Sequence, residues 1–300
     1  MTAVVEGAPA ILADDPTVVV DATGPGPRLV SLRLAPAGAS RADGAGRGGL
    51  RRLVGLRRLA GVAVLVGVWE LATAAKWIDS RTLAGPGLVW STGWRLASDG
   101  TLGSAVATSL HRVVIGLVLG LLFGTALAMA AGLSRIGDDL VDAPMHMLRF
   151  IPIVGLEPLI VLWLGIGDTA KISLIVLGVT FPVYVNTSAA IRAIDPRHLE
   201  LARVVGLGRF ATVRRVVLPA AFAGWMVGLR LAVAVSWLIL VFAEQINATN
   251  GIGYLIVKAQ TFFQTDVIVV GLVVYALLGL VSDAAVRLVE RRALAWQPGR

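Results

Sequence analysis

Arg230, Glu157 and Glu244 are the residues of this chain that could act on a solute from within or beside an apolar stretch. Arg230 stands about 11 residues past Pro219, hence roughly 16 Å along a helix that rises 1.5 Å per residue. An ionisable group at that depth of an apolar run needs a partner or a wet cavity. A positive group there suits an anionic solute; the plainer alternative is an arginine paired with backbone carbonyls or with a neighbouring helix. Glu157, between Pro152 and Pro158, either pairs with Arg230 or Arg149 or lines a passage. Glu244 ends an apolar run and is followed by Gln245, Asn247, Thr249 and Asn250 before Gly251 and Gly253. Such a polar edge suits a gate, a docking surface or an ordinary water-facing loop. The negative charge of Glu244 would repel an anion, which favours docking or structure over solute contact.

Other chemistries find no support in these residues. Without a cysteine, thiol catalysis, disulfides and thiolate metal sites are excluded. The three histidines, His111, His146 and His198, lie far apart in sequence and suggest no metal centre. Asp138, Asp139 and Asp142 form an acidic cluster that reads as helix-start charge. No Gly-rich phosphate loop ending in Gly-Lys-Ser/Thr occurs, so ATP, if used, must be bound by another subunit and the chain itself carries no cofactor.

The elements that hold these residues are set by composition. Of 300 residues, 56% are hydrophobic and 15% charged, and the mean hydropathy is +0.80, too apolar for an ordinary water-soluble domain. Runs of about 20 apolar residues cross roughly 30 Å of hydrocarbon as helices and satisfy their own backbone hydrogen bonds. The expected fold is therefore all-α and polytopic, with about six transmembrane helices near 59–75, 109–133, 144–165, 170–191, 221–243 and 267–289. In the second, Gly116, Gly120 and Gly124 recur every four residues, which permits close helix contact. Pro152 and Pro158 should kink or break the third. Trp69, Trp77, Trp90 and Trp94 suit an aromatic belt at the outer boundary. The first 50 residues, rich in Gly, Ala and Pro, suggest disorder. Their acidic Glu6, Asp14 and Asp15 do not suit a cleaved signal peptide.

Orientation follows from the basic residues. With the N-terminus cytosolic, 20 Lys and Arg fall inside and 6 outside, namely Lys76, Arg81, Arg95, Arg112, Lys171 and Lys258. That asymmetry puts both termini and the loop near residue 200 in the cytosol.

This loop is the most distinctive segment. Asp195-Pro196 is a helix start, an acceptor at the N-cap followed by proline at the first helical position. Leu199, Ala202 and Val205 give an apolar side, Gly206 lets the chain turn, and a second piece over 209–217 spaces Phe210, Val213 and Val217 as a helix would. Pro219 marks the entry to the next membrane helix.

Glu200, Ala202, Gly206, Val216, Leu218 and Pro219 resemble the cytosolic signature of permease subunits of bacterial ABC importers, with Leu201 where that signature usually has Ala. The likeness extends from about 109 to 298 and is to the nitrate, sulfonate and taurine branch. Its blocks include Pro158 to Trp163, Phe181 to Thr187, Gly251 to Leu255 and Gln264 to Val267; Tyr275 to Gly279 and Trp296-Gln297-Pro298 look especially like the aliphatic sulfonate permease. The resemblance implies a MetI-like core of five helices and a passage for aliphatic sulfonates or a similar small anion. It also implies a homodimer, two ABC ATPase subunits gripping Glu200, Ala202, Gly206, Leu218 and Pro219, and an extracytoplasmic solute-binding protein. Taurine, nitrate or a pyrimidine precursor are alternative solutes for the same machinery. A secondary transporter would need coupling-ion sites and commonly shows two related halves. A membrane enzyme would need clustered His, Asp or Glu at one depth. The expected segments are 1–52 disordered and cytosolic, 53–108 first helix and external loop, 109–292 permease core with coupling loop 192–220, and 293–300 cytosolic tail.

Overall fold

The computed structural model describes residues 47–77, 79 and 82–295, with side chains from residue 60 onward except that of Val62. Residues up to Leu56 and residues from Arg57 form two separate contact units. The expected disordered segment, up to residue 46, lies outside the described residues. The second unit holds every helix long and apolar enough to cross a membrane.

Every regular element among the described residues is helical. The order is α1 (Arg47–Ala74), α2 (Pro86–Ser98), α3 (Thr101–Leu133), α4 (Arg135–Leu148), a 3-10 turn (Ile153–Leu156), α5 (Glu157–Leu164) and α6 (Asp168–Arg192). Then come α7 (Pro196–Val204), α8 (Arg209–Thr212), a π turn (Val213–Val217), α9 (Leu218–Gln245), α10 (Ile252–Thr261) and α11 (Thr265–Ala293). Among the described residues four continuous stretches have the length and apolarity of a membrane span: α3, α6, Arg209–Gln245 and α11. Helix α4 and the Ile153–Leu164 segment form a fifth, broken span with a bend of 92°. The break comes where Pro152 adopts an extended ψ of 104° and Pro158 opens α5, as the proline spacing leads one to expect. The expected first span falls on α1. Its apolar part among the described residues is Ala63–Ala74, shorter than the about 20 residues that a crossing needs.

Helix α3 begins at Thr101, eight residues before the expected start. Its start is fixed locally: Asp99 Oδ1 accepts from the Thr101 amide at 2.9 Å, and Gly100 takes φ +81°. The Thr101 backbone amide, then its hydroxyl, hold the Asp99 carboxyl below its ordinary range.

The centre of the bundle is α6, packed between α3 and α9. A Cβ at Gly116 would lie 2.5 Å from Ile175 Cγ2, one at Gly120 2.5 Å from Val179 Cγ1, and one at Gly124 2.7 Å from the Thr180 carbonyl oxygen. The glycine stripe is therefore the surface on which α6 is seated. On its other side Gly228 of α9 brings the α6 backbone close at Pro182 and Val183. Around this contact lies the main core, including Leu174, Ile175, Val179, Val183, Ile239 and Leu240. Helix α11 packs on α2, α9 and α10. Of the four tryptophans assigned to a boundary belt, Trp77, Trp90 and Trp94 are exposed and Trp69 is half-buried.

Candidate functional site

At one end of the bundle the α6–α9 connection projects as a short bent helix pair. Asp195 accepts from the Arg197 amide at 2.9 Å and Pro196 opens α7, so the helix starts where the sequence places it. Its end is closed by two bonds: the Leu207 amide donates to the Ala202 carbonyl and the Gly206 amide to the Arg203 carbonyl, both at 2.9 Å. This pattern is the Schellman closure, which requires a left-handed residue, and Gly206 supplies it with φ +78°. Ala202 is buried, and Leu199 packs against the cluster of Ile191, Val217 and Ala221 at the facing ends of α6 and α9. The root of α7 is therefore seated on both flanking membrane helices.

This projection exposes large apolar side chains among the charged Arg197, Glu200, Arg203 and Arg209. Val204 is 83% exposed and Phe210 80%, with Leu201 and Val205 also exposed. Glu200 is exposed beside them and makes no ion pair among the described residues. Four large apolar side chains on one protrusion form an exposed patch of the kind that a protein or a membrane contact covers. Because Leu201 points away from the bundle, its bulk in place of alanine costs no packing. Leu218 and Pro219 do not begin a separate element: the π turn carries the chain from α8 into α9 without a break, and both are exposed there.

Further along α9, Arg230 meets α11. Its Nε lies 3.2 Å from Asp283 Oδ1, and the other oxygen of Asp283 takes Arg287 Nη2 at 2.8 Å. The pairing of Glu157 with Arg230 or Arg149 is not formed: Arg149 lies over the Phe150 ring, and Glu157 makes no ion pair among the described residues. Glu157 is 2% exposed, its Oε2 lacks a hydrogen-bond partner among them, and the cation facing it is Lys171. Lys171 is itself buried, with Nζ 3.3 Å from the Asn247 carbonyl and 3.4 Å from that of Gly167.

Glu244 departs furthest from expectation. It is no water-facing edge but a buried anion at the α10 end of the bundle. Arg112 Nη1 binds its Oε1 at 2.6 Å, Ser109 donates to it at 2.8 Å, Tyr275 at 2.9 Å, and the Gly253 amide at 2.9 Å. Arg112 also binds Asp168 at the start of α6, through Nε and Nη2, and both the carbonyl and the side chain of Asn250. One buried guanidinium thus joins α3, α6, α9 and the turn before α10. In this conformation Glu244 is engaged inside the bundle and presents no water-facing surface as a gate or docking contact would. Arg112 and Lys171 are likewise buried and belong to no outer loop. The signal for this clamp was in the chain: an arginine inside an apolar helix and a tyrosine in another.

The acidic cluster also has a structural task. Arg192 binds both Asp138 and Asp142, the latter at 2.9 Å, and Tyr184 donates to Asp142 at 2.8 Å, tying α4 to α6. Asp138 does sit in the first turn of α4, whereas Asp142 lies one turn further. Among the described residues no group of His, Asp and Glu is placed to hold a metal ion.

Residues 116–294 match the family described as binding-protein-dependent transport system inner membrane component. The chain belongs to that family. The matched residues run from the glycine stripe of this transport component to the end of α11, and so take in the α7 projection, Arg230 and Glu244. The chain is 43% identical over 231 residues, 77% of its own length and 88% of the relative's, to a protein of Escherichia coli K12 named for aliphatic sulfonates transport, the permease protein SsuC. It is 34% identical over 198 residues to the taurine transport system permease protein TauC of the same organism, covering 66% and 72% of the two chains. Among solved structures, a bacterial ABC transporter involved in import of the acidic polysaccharide alginate superposes with a TM-score of 0.57 at 18% identity, over 82% of this chain and 96% of that one. The MetNI methionine ABC transporter in an inward-facing conformation gives 0.52 at 20% identity, over 67% and 96%. The all-α, multi-pass membrane fold is shared with both.

Proposed function

We propose that this chain forms the membrane passage of an ATP-driven importer for aliphatic sulfonates or a similar small anion, as a homodimer without catalytic activity of its own. Two ATPase subunits that bind the ATP sit against the α7 projections in the cytosol, and a solute-binding protein docks on the opposite side. Both termini are cytoplasmic, the transport core is 109–292, and 192–220 is its coupling loop. The observation that carries the reading is the exposed apolar cap of Leu201, Val204, Val205 and Phe210 on a projection whose root is packed into α6 and α9. Glu200, Ala202 and Gly206 build that projection, and Leu218 and Pro219 join it to the membrane helix.

The geometry supports a lever. Closure of the ATPases displaces α7, and its root moves the adjoining ends of α6 and α9 together, because Gly224 and Gly228 hold those helices in close contact. At the far end the Arg112 clamp holds the same helices together with α3 and α10, so displacement at one end becomes tilting about the other. The path turns from inward-facing to outward-facing, and a loaded receptor releases solute into it. Of the three candidate path residues, Arg230 alone is exposed on the chain; Glu157 and Glu244 are buried. The sulfonate assignment is supported by the 43% identity to the aliphatic sulfonate relative, against 34% to the taurine one.

Proteoliposomes containing the permease, its ATPase and its binding protein should take up ethanesulfonate only when ATP is enclosed. Uptake that persists without the ATPase subunit would favour an ion-coupled carrier instead.

A further inference from the structure

The seam between α9 and α11 carries polar contacts at three levels within an otherwise apolar packing. Tyr275 meets Glu244, Trp237 packs edge-on against Tyr275 at 6.4 Å and donates to Ser282 at 3.1 Å, and Arg230 reaches Asp283. The Tyr275–Glu244 contact is buried and the Trp237–Ser282 contact partly so, whereas the Arg230–Asp283 contact is exposed.

Asp283 holds two guanidiniums at once, Arg230 at 3.2 Å and Arg287 at 2.8 Å, so the three side chains carry one net positive charge. Each is between a third and a half exposed: 50%, 34% and 40% for Arg230, Asp283 and Arg287. A guanidinium offers five N–H donors. Arg230 uses its Nε alone and Arg287 one Nη2 contact, leaving both terminal nitrogens of Arg230 and most of the Arg287 fork unengaged. Arg230 sits 12 residues into α9, roughly 18 Å from its start at 1.5 Å per residue. Beside it runs an exposed apolar stripe, Val227, Leu231 and Leu238. A net charge placed there is costly in hydrocarbon and calls for water or a counter-ion. The further charged groups on α11 are Asp266 in its first turn and Glu290, Arg291 and Arg292 in its last turns.

We propose that Arg230 and Arg287 form a binding site for one oxyanion group, a sulfonate or a phosphate, with Asp283 as the resident counter-ion that the arriving anion displaces. The proposal rests on the importer reading and names the residues that would recognise its cargo. The N–H donors that the two guanidiniums leave unused suit a three-oxygen headgroup, whose single charge balances the cluster. Asp283 keeps the site occupied when the solute is absent and limits its affinity, as passage requires, because an anion must leave as well as enter. The same oxyanion chemistry is presented by a phospholipid headgroup, so the source of the anion is decided by measurement.

The test is saturation-transfer NMR of ethanesulfonate on the purified permease–ATPase complex in detergent, without the binding protein. Saturable binding is expected, weakened about ten-fold or more in Arg230→Gln and in Arg287→Gln, the loss of one charge-assisted contact. Asp283→Asn should tighten it, a gain that misfolding cannot imitate, and Lys258→Gln should leave it unchanged. In a parallel arm, nanodiscs of phosphatidylcholine containing phosphatidylglycerol report lipid enrichment. Enrichment lost in Arg230→Gln, with ethanesulfonate unbound by the unaltered protein, assigns the site to a lipid phosphate. Ethanesulfonate binding and lipid enrichment both indifferent to Arg230, Arg287 and Asp283 overturn the proposal, even where ATP-driven uptake upholds the importer reading. Absence of any ATP-driven sulfonate uptake would instead count against that reading.

Discussion

Arg112 Nη1 lies 2.6 Å from Glu244 Oε1, and both side chains are sealed from solvent although they stand 132 residues apart in the chain. The hydrogen bonds of this arginine all reach oxygens of other elements, so the pair is a fastening for the end of the bundle opposite α7.

Arg112→Ala should therefore strand a buried carboxylate and lower stability by about 3–5 kcal/mol. Removing Glu244 as well should cost less than the sum of the two single changes, because the second change removes the stranded charge. Thermal unfolding of the four proteins in one detergent measures both. Additive losses would mean that the contact does not fasten the helices.

A methyl group at Gly120 would meet Val179 Cγ1 at 2.5 Å and its Cβ at 2.6 Å. Gly120→Ala should cost about 1–3 kcal/mol through forced separation of α3 and α6. Val179→Gly introduced with it should recover part of the loss, since it removes the atoms in the way. Melting temperatures of the single and double variants decide the matter.

Gly206 holds φ +78° and its amide closes the end of α7. Gly206→Ala should cost roughly 1–2 kcal/mol locally, the penalty of a left-handed non-glycine residue. Gly206→Pro should do more, since proline fixes φ near −65° and has no amide to donate. Far-UV circular dichroism should show the membrane helices intact, while uptake and receptor-stimulated ATP hydrolysis are lost. Normal coupling in Gly206→Pro would remove the role given to α7.

Arg230 is paired with Asp283 and not with Glu157. Exchanging the charges, Arg230→Asp with Asp283→Arg, should restore the assembled protein that Arg230→Asp alone loses. Exchange with Glu157 should restore nothing. Yield of folded protein from the membrane, compared across the set, distinguishes the two partners.

The parts of the fold that are legible in the sequence are those written in neighbouring residues. The Asp195-Pro196 start, the Gly206 stop, the Pro152 and Pro158 break and the four-residue glycine stripe are each local rules, and each is met by the structure. The Arg112 clamp is not local. Its members Ser109, Arg112, Asp168, Glu244, Asn250 and Tyr275 are brought together only when four helices and a turn have packed. Beginning α3 at Ser109, where hydrophobicity rises, puts Arg112 at a membrane edge; the cap at Asp99 and Gly100 moves the start to Thr101 and sets the arginine inside the helix. Helices α2 and α10 escape notice for a related reason. Both are short, 13 and 10 residues, and their apolar faces are completed by α11.

The chain contains no cysteine, so a single one placed at Val204, 83% exposed at the tip of α7, reports on that position alone. Cross-linking from Val204→Cys with a maleimide–diazirine reagent in inverted membrane vesicles that contain the ATPase subunit shows whether α7 meets that subunit. An adduct with the ATPase subunit is expected, its yield changing when ATP is bound. Labelling of Val204→Cys by an impermeant thiol reagent from the outside of intact cells, with no adduct in the vesicles, would contradict that contact.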